Sequence, residues 1–222
     1  MAHATRTIDA TPTAQPASAS TAPRGRTQRG KAQCRALVEA AFELIAAEGF
    51  EGLRTRDVAA RAGVNVATLH YYFATKEDLI RAVVERLWEE FVAFGAPTIP
   101  ARPLSSPLEN LRQELVDLER HVRERPATFI VLFEIVLRSL RNPAISAMTR
   151  ELNTRWENYI ETLLIEGVRQ RAFRADLDTA ATAADIVALL NGTLSASISY
   201  EEPFPVDRVF ARIEPWLIDA PH

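Results

Sequence analysis

Thr55, Arg56, Asn65, Thr68, His70, Tyr71 and Lys76 crowd hydrogen-bonding and cationic side chains into the stretch TRDVAARAGVNVATLHYYFATK, residues 55–76. Hydroxyls, an amide, a guanidinium and an ammonium suit reversible contact with phosphates and base edges rather than bond making. Nothing elsewhere in the chain suggests bond making either. There is no Gly-rich phosphate loop, no zinc-protease pairing of histidines, and no serine or cysteine in a nucleophile setting. His121 and Glu124, three apart, have metal-ligand spacing, but a di-metal bundle needs several such sets. A polar helix face is their expected role. No catalytic residue, metal or cofactor is expected, and the chain does not read as an enzyme.

Two short helices must position these groups. Thr55 is expected to cap a helix over 56–62, in which Val58 and Ala62 share a buried face and Ala59 permits a close helix crossing. Gly63 follows at the place where a helix commonly ends in a left-handed residue. Asn65 is expected to cap a second helix reaching about Tyr72, anchored by Leu69 and Phe73. Val66, Ala67, Thr68, His70 and Tyr71 then face outward. A tight glycine turn between two such helices makes a helix-turn-helix, whose second helix enters the major groove of DNA.

The run GVNVATLHYYFATKEDLI, residues 63–80, resembles the DNA-binding segment of TetR-type transcriptional regulators. Their usual pattern is Gly-Val-Ser-x-Gly-Thr-Leu-Tyr-Tyr-Tyr/His-Phe-x-Ser/Asn-Lys-Glu-x-Leu. Upstream, Leu44, Ala47, Gly49, Phe50, Thr55 and Asp57 also fit, so the likeness covers about residues 29–85. It implies that Thr55, Tyr71 and Lys76 hold phosphates, that Asn65, Val66, Ala67 and Thr68 face base edges, and that Arg56 flanks them. Three positions depart from the pattern. His70 stands where a tyrosine is usual, Ala67 where glycine is common, and Val66 where proline or a polar residue is frequent. His70 can still bond a phosphate, or it is a surface histidine without a role. Val66 and Ala67 offer only methyl contact, for example to thymine. The resemblance further implies a three-helix DNA-binding domain at 29–75 and a helical effector-binding and dimerisation domain at 76–222. It implies a repressor that releases a pseudopalindromic operator when a small molecule binds. An activator of the same family, or a helical interaction module without specific DNA binding, is the alternative.

Charge is distributed accordingly. The chain has 222 residues and a net charge of −3, but residues 1–81 hold 11 Lys/Arg against 8 Asp/Glu, and the remainder 15 against 21. The positive part is the part with the helix-turn-helix, as a polyanionic partner requires. Lys76 and Lys31 are the two lysines among 26 basic residues. Lys76 falls in the first turn of a helix, where an acid would suit the dipole better, so either a phosphate partner or chance accounts for its placement. The single cysteine, Cys34, rules out an internal disulfide and fits a reducing cytoplasm; its place on the apolar side of the first helix suggests a packed thiol. No run is expected to have membrane-spanning composition, and the N-terminus lacks the apolar segment of a signal peptide. Residues 1–28, rich in Ala, Thr, Ser and Pro, are expected to be a disordered tail. Arg24, Arg26, Arg29 and Lys31 gather at its end, either as a minor-groove arm or as solvated charge.

The rest of the chain is expected to be helical throughout, making an all-α fold. Thr75 with Asp78 reads as an acidic capping box opening a helix to Gly95; residues 95–107 read as a proline-rich loop. Helices follow from Pro107, from Pro126, over about 144–171, over 179–199 and over 206–218. The Pro126 helix, apolar nearly all round, is expected to be central. Within it Glu134 needs a partner: either Arg138, four residues on, or a ligand oriented by Glu134 or Arg138 in a cavity lined by Phe129, Phe133, Trp156 and Tyr159. The small residues Ala180, Ala181, Ala183, Ala184, Ala188, Gly192 and Ser195 permit close helix contact, in a homodimer interface as the family resemblance implies or inside a monomer core.

Overall fold

A computed structural model of the chain describes residues 28–94 and 106–218. Within them every regular element is an α-helix. Helix α1 (Gln28–Gly52) is followed by α2 (Thr55–Arg61), α3 (Val66–Tyr72) and α4 (Lys76–Phe94). Then come α5 (Pro107–Glu124), α6 (Pro126–Ser139), α7 (Pro143–Arg169), α8 (Thr179–Tyr200) and α9 (Val206–Leu217). Of the tail and its basic cluster, Gln28, Arg29 and Lys31 lie in α1, while residues 1–27, with Arg24 and Arg26, lie outside the described residues. So does the proline-rich 95–105.

Local chemistry sets most helix starts. The Thr75 hydroxyl accepts from the Asp78 N–H and the Asp78 carboxylate from the Thr75 N–H, both at 3.0 Å, closing a reciprocal box ahead of α4. Ser106 caps α5, Asn142 caps α7 and Asp178 caps α8, each accepting a first-turn N–H at 3.0–3.3 Å. Pro107, Pro126 and Pro143 stand at helix starts, where a missing N–H costs nothing. One expected cap is corrected. Helix α2 starts at Thr55 itself, because Arg54 takes the extended N-cap conformation and no side chain caps the turn.

Helix α1 is the hub of the N-terminal helices. Leu37, Ala41, Leu44 and Ile45 bury its inner face against Val58, Ala59, Leu69 and Phe73, and against Leu79, Val83 and Leu87 of α4. This core does not stop at residue 75. Val131 and Ile135 of α6 and Ile145, Met148 and Leu152 of α7 belong to it. A second core gathers α5, α7, α8 and α9 around Phe129, Leu164, Ile186 and Ile213, with Phe91 of α4 packed against both.

Three expectations are corrected here. Helix α6 is not buried all round: Phe129, Val131, Leu132 and Ile135 are buried, whereas Leu137 and Leu140 are 62% and 78% exposed. His121 is not on a polar face but buried against Phe91 and Phe129, at ring distances of 5.5 and 5.0 Å, while Glu124 is exposed. Helix α8 is long and apolar enough, by length and composition, to cross a membrane. Its apolar face, with Ile186, Val187, Leu190 and Leu194, is buried in the second core instead.

Candidate nucleic-acid interface and ligand cavity

The helix-turn-helix is held from beneath. Leu69 is 1% exposed and Phe73 and Val58 are also buried, so α3 sits on an apolar scaffold. The turn rests on Gly63, at φ +67°, a conformation that costs a side-chain-bearing residue about 1–2 kcal/mol. The Tyr72 hydroxyl donates to Gln33 of α1 at 3.2 Å, tying the end of α3 to the hub. Its neighbour Tyr71, edge-on to it, remains 56% exposed.

The outer face carries the groups the sequence places there. Asn65, Val66, Ala67 and His70 are exposed and Thr68 is half-buried. Asn65 caps α3: its side-chain oxygen accepts from the Thr68 N–H at 2.8 Å and from the Thr68 hydroxyl at 2.9 Å. That leaves the Asn65 amide N–H groups to donate to a base acceptor such as a purine N7, and the Thr68 oxygen to accept from an adenine or cytosine amine. Arg56 is exposed, with only a loose 3.6 Å approach to Asp57, and Thr55 is half-buried in the first turn of α2. Lys76 is exposed at the start of α4; partial burial and, next, the charge of Arg138 lower its pKa. Of the neighbouring acids, Asp78 sits in its capping box and Glu77 accepts from the Asn142 amide at 3.3 Å, while the charges of Glu51 and Glu77 act in the opposite direction and raise the Lys76 pKa.

A cavity of about 410 Å³ opens among α4, α5, α6, α7 and α8. Trp88, Phe91, Phe129, Phe133 and Trp156 wall it, and Glu114, Asp117, His121, Arg150, Asn153 and Asn191 give it polar groups. Of the residues named from the sequence, Phe129, Phe133 and Trp156 line it. Glu134, Arg138 and Tyr159 do not line it. Helix α6 lies between the cavity and α1, and the Glu134 carboxylate faces α1. It accepts the Phe50 N–H at 3.3 Å, beside Gly49 at φ +65°. No ion pair joins it to Arg138, whose guanidinium sits 5.9 Å from the Phe50 ring centroid. Tyr159 is buried behind Glu114. Its hydroxyl makes no well-directed hydrogen bond, but its proximity still bears on the Glu114 carboxyl.

Glu114 and His121 were not anticipated, although a signal exists. They fall on the same helical stripe as Leu111 and Leu118, so two polar residues interrupt an otherwise apolar face. Desolvation pushes the Glu114 carboxyl up to about 7. Glu90, on α4, goes the other way. Burial alone would raise it, but the approach of His121 Nε2 at 3.5 Å, the Thr128 hydroxyl bond at 2.8 Å and the Arg86 charge bring it down to about 2. Arg86 also grips Glu39 of α1 through two bonds of 2.6 and 2.9 Å and lies 3.5 Å over the Phe42 ring. A polar bridge thus runs from His121 at the cavity through Glu90 and Arg86 to α1. Among the described residues no cluster of metal-ligating side chains occurs.

Residues 37–83 match the model of bacterial regulatory proteins of the tetR family, and residues 107–217, half of the chain, match the C-terminal domain of BetI-type transcriptional repressors. The probable HTH-type transcriptional regulator YttP of Bacillus subtilis is 30% identical over 142 residues, 62% of this chain and 65% of that one. The HTH-type transcriptional repressor Rv1353c of Mycobacterium tuberculosis is 28% identical over 149 residues, 65% of this chain and 52% of that one. The chain thus spans between half and two thirds of the length of these relatives. A crystal structure of a TetR-family regulator from Rhodococcus sp. superposes with a TM-score of 0.72 at 20% identity, covering 83% of this chain and 97% of that one.

Proposed function

The chain belongs to the TetR family of bacterial transcriptional regulators, and we propose that it is a homodimeric repressor that leaves a pseudopalindromic DNA operator when a small molecule enters the cavity. The observation that carries the reading is the exposed α3 face, Asn65, Val66, Ala67, Thr68 and Tyr71, standing on a scaffold that shares α4 with the cavity wall. Thr55, Tyr71, His70 and Lys76 would grip phosphates on either side of α3, with Arg56 flanking. A cytoplasmic location follows from a chromosomal partner.

One short helix reads few bases, so two copies related by a two-fold axis are needed for a selective site. Helix α8 supports that pairing. Ala181, Ala188, Gly192 and Ser195 lie exposed along one stripe, whereas Ala183 is consumed in the monomer core. A side chain at Gly192 would meet nothing within 4 Å, which leaves room for a partner helix. On this reading Gly192→Arg converts a dimer to a monomer in light scattering. Retention of the dimer would move the interface elsewhere.

Release follows from shared helices. Trp88 and Phe91 place α4 on the cavity, and Arg86 of the same helix holds α1; Phe129 and Phe133 place α6 on it, and Glu134 meets the α1 end. An occupant that displaces α4 or α6 would alter the spacing of the two recognition helices. A gel shift on the DNA upstream of the protein's own reading frame tests the core of the proposal. Saturable binding should weaken steeply with salt, with a slope of roughly −0.9 per phosphate contact. Binding absent from every fragment, or indifferent to salt, overturns it.

A further inference from the structure

We infer that the cavity selects an organic monocation with an apolar or aromatic body, its charge set against Glu114. This deepens the regulator reading and rests on the cavity being the effector site. Glu114 projects from a stripe of α5 that is apolar but for itself and His121, into a chamber walled by five aromatic side chains. Among the described residues no cationic side chain pairs with it. The other carboxylates nearby are already compensated: Asp117 by Arg120 at 2.8 Å, Glu90 by Arg86 at 2.8 Å. Arg150, the one arginine on the lining, is exposed and makes no ion pair with Glu114.

An ionised carboxylate facing such walls is costly unless a cation meets it. The aromatic rings favour the same sign, since their faces attract positive charge. An anionic guest would instead confront Glu114 and Asp117. A neutral guest is the real rival, because a protonated Glu114 can donate a hydrogen bond to it. Tyr159 of α7 and Asp117 of its own helix are the titratable groups that bear on Glu114, and His121 and Arg150 share the chamber with it. The two rivals therefore separate with pH. With its carboxyl near pH 7 in the empty site, Glu114 must ionise to hold a cation, so cation affinity rises by about tenfold from pH 6 to pH 8. Affinity for a hydrogen-bond-accepting neutral guest falls over the same interval.

The test uses the full chain and two probes of one shape, benzyltrimethylammonium and neopentylbenzene, which exchange a nitrogen for a carbon. Trp88 and Trp156 line the cavity and report binding by fluorescence, whereas Trp216 stands apart from it. The cation should bind at least about tenfold more tightly than its neutral twin at pH 8, and Glu114→Gln should remove most of that preference by weakening the cation alone. The pH series on the unaltered protein stands independently of the variant. Equal or tighter binding of neopentylbenzene, a cation affinity indifferent to pH or to Glu114→Gln, or no cation binding overturns the inference. The gel shift keeps the two readings apart. Operator DNA released only by neutral or anionic compounds would sink the cation and leave the regulator. Preferential cation binding by a chain that holds no DNA would do the reverse.

Discussion

The DNA-reading face and the cavity are built in opposite ways. The first comes from one contiguous stretch, with side chains turned outward from a close-packed scaffold of Leu69, Phe73 and Val58. The second is assembled from five helices between Trp88 and Leu194, with side chains turned inward on empty volume. A protruding surface needs its support rigid and its tips free. A chamber needs walls that tolerate a void, and a void means lost contacts among the groups that line it.

Truncation should expose that difference most strongly. Leu69→Ala, in the scaffold, is expected to cost about 3 kcal/mol in urea melts, whereas Phe133→Ala, whose ring already borders empty space, should cost about half as much or less. Equal losses would break the contrast. Next in size is a pH effect confined to the chamber. Glu114 binds its proton more tightly in the fold than in the unfolded chain, so its stabilising share is present below about pH 4.5 and lost as pH rises through about 7. Glu114→Gln should flatten that decline and leave the variant more stable at pH 8 by on the order of 1–2 kcal/mol, allowing for its partial exposure. A melt series in which both proteins decline alike would remove Glu114 as the cause. Glu90, held at about 2, has the opposite sign: its stabilisation is present above about pH 4.5 and lost as pH falls toward 2.

Smaller effects sharpen the comparison on the DNA side. Gly63→Ala should cost about 1 kcal/mol from backbone strain alone, since nothing lies within 4 Å of an added Cβ. Tyr71→Phe should change stability by less than about 0.5 kcal/mol yet weaken DNA retention several-fold, because its exposed hydroxyl supports nothing in the monomer. A stability loss without a loss of DNA affinity would make Tyr71 part of the scaffold instead.

The same contrast decides what could be read from the sequence. The helix-turn-helix is local, so a glycine at the turn, an asparagine cap and a four-residue anchor spacing suffice to place it. Even there the start of α2 shifted, because Thr55 occupies the first turn while Arg54 carries the extended cap. The chamber depends on which neighbour each helix face meets, and spacing is silent on that. Phe129, Phe133 and Trp156 reached it. Glu134 and Arg138 did not, because α6 is shared with α1, and Tyr159 went behind Glu114. The two polar residues that matter most in it, Glu114 and His121, were visible as cavity residues only through their interruption of a leucine stripe.

The shared position of α6 has a consequence for how such a regulator can change over generations. Its Phe129 and Phe133 line the cavity, while Glu134, on another face, meets the α1 end at Gly49 and Phe50. On the proposed function, substitutions on the cavity-facing side would retune what is sensed without disturbing the seam to the DNA-reading helices. Substitutions at the seam can alter the strength of the response without altering its trigger. Sensing and responding can therefore drift separately along a single helix, and the Glu134 carboxylate marks where one trait ends and the other begins.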